Sequence, residues 1–306
     1  MTNKKPVSAA VIGLGSMGLG VAKSIARRKI PVAGFDVNAN AVASLSACGG
    51  IAAASAADAA KNRDVVVVVV VNAAQTRSVL FGDNGAAKTM KSGGVVISCA
   101  TMSPDDARGL ERDAEEMGIL YLDAPISGGA TKATDGQLTV MASGAPEAFD
   151  RARPVLDAIA GKVYELGGVA GIGASFKMVN QLLAGVHIAA ASEAITFAAR
   201  LGLDLGKVYE VITASAGNSW MFENRVPHVL DGDYSPRSAV SIFTKDLGIV
   251  SDMARREKFP LQVASTALQL FLMTAAAGME RDDDASVARM IAGVTNVALP
   301  SPKNES

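Results

Sequence analysis

The chain has 306 residues, enough for two domains that each bury a core of their own. With 29 Lys and Arg against 30 Asp and Glu, the formal charge is −1, so no basic excess marks a nucleic-acid or membrane-surface binder. Hydrophobic residues make up 49% and glycines number 30, a mixture that suits tight helix packing and argues against disorder.

In chain order, SAAVIGL (8–14) reads as a strand and 17–28 as a helix; PVAGFD (31–36) is a second strand and 39–48 a second helix. Ser55 is placed to cap a short helix, with Asp58 three residues on. VVVVVVV (65–71) is an unbroken β-branched run, the pattern of a parallel strand covered on both faces. GGVVIS (93–98) is another strand. A helix then opens at SPDD, with Ser103 as cap, Pro104 at its first position and acids in its first turn. ILYLDAP and LTVMASG read as later strands, 146–159 as a helix and KVYEL as a last strand.

Beyond Gly168 the β signals stop. Helices are expected over a long stretch around 174–199, over 206–215, 245–256 and 262–277, and from Ala285. Alternating β and α followed by α alone predicts an α/β fold: an N-terminal Rossmann-type doubly wound parallel sheet, residues 1–168, and an all-α C-terminal domain, 169–306, joined by a long interdomain helix. The tail PSPKNES is expected to fray.

The apolar run after MTNKKP breaks at glycines, too soon for a signal-peptide core. The valine run is far short of the roughly 20 residues that span a bilayer. The long helix carries Lys177, Asn180, Gln181, His187 and Glu193, which are costly in lipid. A soluble, cytoplasmic protein is expected, with Cys48 and Cys99 as small buried thiols. No His/Cys/carboxylate cluster has metal-ligand spacing, so no metal is expected. DDD (282–284) reads as a solvated loop and helix cap, and His228 as a satisfied core histidine.

VIGLGSMG has the G-x-G-x-x-G spacing between a strand and a helix. Gly13 permits the tight turn, Gly15 lets backbone approach a pyrophosphate, and Gly18 lets helix and strand pack closely; Leu14, Ser16 and Met17 complete the turn and the helix start that attract phosphates. Asp36 ends the second strand at the distance expected of a carboxylate that binds ribose hydroxyls. It would repel a 2′-phosphate, and DVNANA supplies no arginine, so NAD is favoured over NADP. Val71 and Asn72, where the valine run ends, are further cofactor contacts.

GLGSMG, SCATMSP, DAPISGG, GIGASFKMVNQ and FTKDLG follow one another as in the β-hydroxyacid dehydrogenases, the 3-hydroxyisobutyrate dehydrogenase-like family, which the chain resembles over residues 7–292. The stretch from AGNSW to FTKDLGIV is more particularly similar to the branch that oxidises L-threonate to 2-dehydro-L-erythronate with NAD. The resemblance implies a catalytic lysine in a K-x-x-N pattern, matched by Lys177 and Asn180 on one helix face. Such a lysine takes the hydroxyl proton during oxidation, and removing water around an amine favours its neutral, basic form. A lysine snorkelling from a helix start is the alternative reading of Lys177. Asn180 would hold the hydroxyl or the lysine in line. Where the family often has a second Asn, this chain has Gln181.

Ser127, Gly128 and Gly129 would bind the substrate carboxylate through a hydroxyl and a nest of N–H groups. Thr101 and Lys245 match cofactor contacts, with Asp246 supporting a helix terminus. Asn218 and Trp220, with Ser215 and Ser219, lie where the family's helical domain meets substrate; Trp220 walls the pocket or packs in the core. His187 contacts a distal hydroxyl or is a core histidine. Other hydroxy acids remain open: 3-hydroxyisobutyrate, glycerate in the tartronate semialdehyde direction, or 4-hydroxybutyrate. 6-Phosphogluconate dehydrogenases share the architecture, but their His-rich continuation after the lysine is missing. A cofactor-sensing or chromatin-reader subunit would tend to lose Lys177. ALQLFLMTAAAG offers apolar surface that points to self-association, and the resemblance implies a homodimer or homotetramer.

Overall fold

The structure, a computed structural model, describes residues 7–302. The end of the tail expected to fray, 303–306, and the basic start, 1–6, lie outside the described residues. The chain divides into two compact units, one ending at Lys177 and the other beginning at Met178; the changeover falls inside a single helix.

The first unit contains β1 (Ala9–Ile12), α1 (Ser16–Arg27), β2 (Val32–Phe35), α2 (Ala39–Ser46), β3 (Ile51–Ala52), α3 (Ala56–Ala60), β4 (Val65–Val68) and α4 (Ala73–Phe81). It continues through β5 (Val95–Ser98), α5 (Pro104–Glu116), β6 (Leu120–Asp123), β7 (Ile126–Ser127), α6 (Gly129–Asp135), β8 (Leu138–Ala142), α7 (Pro146–Ile159) and β9 (Ala160–Glu165). Six parallel strands lie in the order β3-β2-β1-β4-β5-β6, the doubly wound arrangement expected.

The valines show why. Val65 and Val67 enter a core with Val21 and Ile25 of α1 and Val155 of α7. Val66 and Val68 enter the opposite core with Leu80 of α4 and Leu110 of α5. A strand buried on both faces needs an apolar residue at every position. The strand stops at Val68, short of the expected Val71: the Val71 N–H is taken by Gln75 Oε1 at 2.9 Å, and its side chain is 47% exposed.

β8 and β9 also depart from expectation. They form a separate three-stranded sheet with β7, antiparallel to β7 and parallel to each other. β8 alternates buried and half-buried residues and β9 is mostly exposed. Strands wetted on one side do not suit the interior of a sheet covered on both faces. Of the cysteines, Cys99 is buried, with its thiol pushed up to about 12 by desolvation, whereas Cys48 is exposed, against the expectation of two buried thiols.

The changeover helix is α8 (Ile172–Arg200); α9 (Leu205–Thr213), α10 (Trp220–Asp231), α11 (Val240–Arg256), α12 (Gln262–Thr274) and α13 (Ser286–Thr295) follow. A π turn, Ala275–Met279, extends α12. By length and composition alone α8 and 262–279 could cross a membrane. In this fold Ile188 and Ile195 of α8 enter two cores, one with Phe243 and Phe271, the other with Phe222 and Val226.

α10 is not among the expected helices, and Pro227 sits inside it. Proline cannot bond the carbonyl four residues earlier, that of Glu223. The Tyr209 hydroxyl donates to that carbonyl at 3.1 Å, so the vacancy is filled from α9. α11 starts five residues before the expected 245, which puts Lys245 and Asp246 in its second turn, not at its terminus.

The acidic run DDD is not a solvated loop. Asp283 and Asp284 are fully buried. Asp283 accepts the Arg237 and Ala285 N–H groups and pairs with His228 Nδ1 at 2.8 Å; Arg237 meets His228 Nε2 at 2.7 Å. His228 is thus a satisfied core histidine. Asp284 receives a two-pronged contact from Arg225, at 2.5 and 3.1 Å.

Candidate functional site

Gly13 leaves β1 with φ +89°, and a Cβ there would lie 2.6 Å from the Val69 carbonyl oxygen. A Cβ on Gly18 would lie 1.8 Å from the Gly13 carbonyl oxygen, so α1 rests on the turn only because both residues lack side chains. A Cβ on Gly15 would meet nothing within 4 Å. Two of the three glycines are therefore required by packing, and the middle one faces open space. Gly15 is also the N-cap of α1, which has no side-chain cap, so the first N–H groups at Ser16 and Met17 remain suited to an anion.

Asp36 follows β2 directly. Its Oδ2 accepts the Leu14 N–H at 2.6 Å and its Oδ1 the Asn38 N–H at 2.7 Å, which braces the glycine turn against the second strand. A carboxylate has lone pairs left over for further donors. Asn72 caps α4, its Oδ1 accepting the Gln75 N–H at 2.8 Å. Ser103 caps α5 through the Asp106 N–H, as expected, and half-buried Thr101 lies between β5 and that cap.

Lys177 is 7% exposed, and its Nζ donates to the Ile126 carbonyl at 2.8 Å. Ile126 directly precedes Ser127, so the amine is held at the Ser-Gly-Gly turn. Gly128 and Gly129 have φ +138° and +79°, and a Cβ on Gly129 would meet nothing within 4 Å. The turn brings a hydroxyl, N–H groups in left-handed geometry and an amine together in the first unit.

Two residues that sequence reasoning missed hold this arrangement. Asp123, at the end of β6, is buried, and its Oδ2 accepts the Gly171 and Ala174 N–H groups at 2.9 and 2.8 Å. Ser143, just past β8, accepts the Gly173 N–H at 2.9 Å. Together they cap the start of α8 and so set where Lys177 emerges. Desolvation, set against these backbone donors, pushes the Asp123 carboxyl up to about 6. The D of DAPISGG was the available signal, but its partners lie 48 and 51 residues away.

In the second unit, half-buried Asn180 donates from Nδ2 to Gln181 Oε1 at 2.9 Å, and Gln181 Nε2 donates to Asp246 Oδ2 at 2.5 Å. Lys245 Nζ lies 2.5 Å from Asp246 Oδ1, in a charge contact without hydrogen-bond alignment. Asn218 spends its Nδ2 on the Thr213 carbonyl and Glu223, and Ser219 spends its hydroxyl capping α10. Ser215 donates to the Val211 carbonyl. Trp220 is 50% exposed, so it is not core packing. His187 is half-buried on α8.

Residues 8–168 match the family model of the NAD binding domain of 6-phosphogluconate dehydrogenase. Residues 171–291 match that of the NAD-binding part of NADP-dependent 3-hydroxyisobutyrate dehydrogenase. The chain belongs to the 3-hydroxyisobutyrate dehydrogenase-like family. Among its β-hydroxyacid dehydrogenase relatives, an L-threonate dehydrogenase of Cupriavidus necator is 52% identical over 284 residues, 93% of this chain and 96% of the relative. The L-threonate dehydrogenase of Escherichia coli K12 is 48% identical over 96% of this chain and 97% of its own length. A crystal structure described as 3-hydroxyisobutyrate dehydrogenase from Salmonella typhimurium is 50% identical, with a TM-score of 0.90 over 93% of this chain and 99% of that one.

A β-hydroxyacid dehydrogenase of this family uses a nicotinamide dinucleotide, and the residues present fit that group. The turn at Gly15 is open, the N-terminus of α1 carries no side-chain cap, and Asp36 stands beside the turn.

Proposed function

We propose that the chain oxidises the 2-hydroxyl of L-threonate, giving 2-dehydro-L-erythronate, with NAD as acceptor. One observation carries the chemistry: a buried lysine amine held 2.8 Å from the carbonyl that precedes the Ser-Gly-Gly turn. The relatives at 48–52% identity support the substrate. A bound oxidised nicotinamide supplies the hydride acceptor. Ser127 and the N–H groups of Gly128 and Gly129 bind the substrate carboxylate, which fixes the adjacent carbon. Lys177 Nζ, steadied by Ile126, takes the hydroxyl proton as the carbonyl forms, and Asn180 holds a hydroxyl in line. Residues 1–168 form the nucleotide-binding domain and 169–306 the substrate and oligomerisation domain.

Asp36 supports NAD over NADP, since a 2′-phosphate beside its carboxylate is repelled. The test is NADH formation from a panel of hydroxy acids, run with NAD and with NADP. L-threonate with NAD is expected to give the highest kcat/KM. A higher value for 3-hydroxyisobutyrate, the acid named for the Salmonella structure, would replace the substrate; a higher value with NADP would replace the cofactor assignment.

The protein acts in the cytoplasm and self-associates through the second unit. Its α8 and α12 expose Phe197 and Val263 on a groove of about 570 Å³ lined also by Val186, Glu193 and Leu270. Sedimentation equilibrium is expected to give a dimer or tetramer; a monomer at assay concentration removes this part.

A further inference from the structure

The polar side chains around Gln181 form a chain with a direction. Asp246 is fully buried in the second turn of α11. Its Oδ1 faces the Lys245 ammonium and its Oδ2 faces Gln181. A carboxylate paired with a lysine accepts hydrogen bonds and donates none. Gln181 must therefore turn its NH2 toward Asp246, which leaves Oε1 facing Asn180. Asn180 answers with its own NH2, at 2.9 Å. Its Oδ1 is thereby turned away from Gln181. Gln181 is only 7% exposed, so water competes little for either end. One buried charge thus fixes the orientation of two successive amides.

We propose that Gln181 is a positioning residue that sets the hydrogen-bond polarity of Asn180, so that the site selects an acid bearing a second hydroxyl beside the reacting one. This rests on the reading that Asn180 meets substrate. An acceptor held in place favours a partner that brings an O–H. An apolar-tailed acid leaves it unpaired and pays the desolvation of a polar group. Sites built to bond a hydroxyl reject analogues without it far more strongly than apolar pockets discriminate by size. Freed from Gln181, the Asn180 amide can turn over, and the preference weakens.

The test compares kcat/KM for L-threonate with that for the same four-carbon acid lacking the 3-hydroxyl, in wild type and in Gln181→Met, which keeps the side-chain length but neither polar end. The preference for L-threonate is expected to fall at least about tenfold, through a higher KM for L-threonate, with NADH affinity near wild type; Tm falls, because buried Asp246 Oδ2 loses its donor. An unchanged ratio, or an equal loss for both acids, overturns the proposal, because general loosening of the site would not discriminate between them. If Gln181→Met does not fold, the Gln181→Met/Asp246→Leu double variant, which leaves no buried carboxylate facing Met, is read by the same ratio. A wild-type protein that turns over neither acid instead refutes the substrate reading beneath the proposal.

Discussion

The Asp123 carboxylate accepts the backbone N–H of Ala174 at 2.8 Å, three residues before Lys177. A strand end and a helix start, 51 residues apart in sequence, are joined by one buried oxygen that also takes the Gly171 N–H. The position of the proposed acid/base group thus depends on a cap and not on anything near it in sequence.

That cap has a pH signature. Burial raises the Asp123 carboxyl from 3.8 to about 6, so the folded state holds its proton more tightly than the unfolded chain does. Its contribution to stability is fully present below pH 3.8 and is lost as pH rises through about 6. At about 1.4 kcal/mol per pKa unit, the loss by neutral pH is at most about 3 kcal/mol. Asp123→Asn keeps an oxygen for both N–H groups and removes the ionisation. In urea unfolding, the variant is expected to gain on wild type between pH 4.5 and pH 7.5. A difference that does not change with pH contradicts the assignment.

Lys177→Ala is expected to fold and to bind NADH, because its Nζ bonds the Ile126 carbonyl, whereas the glycine turn after β1 is braced by Asp36. Turnover is expected to fall on the order of 10²–10⁴-fold, the usual contribution of a positioned acid/base group. Single-turnover kinetics with L-threonate measure it. Near-wild-type kcat removes the amine from the mechanism.

Gly15 and Gly18 separate binding from folding. A methyl at Gly18 meets the Gly13 carbonyl oxygen at 1.8 Å, so Gly18→Ala is expected to destabilise the first unit and lower Tm by several degrees. A methyl at Gly15 meets nothing, so Gly15→Ala is expected to keep wild-type Tm and lose nucleotide affinity, read by titration with NADH. Unchanged NADH affinity in Gly15→Ala would show that the open space at Gly15 is not a binding surface.

In the second unit, Arg225 holds the buried Asp284 carboxylate, whose pKa desolvation raises and the guanidinium lowers. Arg225→Met leaves that charge unpaired and is expected to cost about 3–5 kcal/mol in urea unfolding. Adding Asp284→Leu is expected to restore much of it. If the double variant is no more stable than the single one, the pair is not the source of the loss.

Much of this protein was legible in its sequence where the deciding physics is local. The valine run announced a strand buried on both faces because its alternate side chains enter opposite cores. Gly13, Gly15 and Gly18 announced the turn because their constraints act within a few residues. Ser103 and Pro104 announced the start of α5 for the same reason. Tertiary structure decided the rest. α10, with Pro227 inside it, is held in part by Tyr209, which reaches the carbonyl that the proline leaves unbonded. DDD reads as a wet loop until His228 bonds Asp283 and Arg225 pairs with Asp284, from 55 and 59 residues away. Gln181 has no visible purpose until α11 brings Asp246 against it, 65 residues on. Backbone preference and periodicity are properties of neighbours along the chain. Which buried polar groups meet depends on how whole helices and strands pack, and no local pattern encodes that.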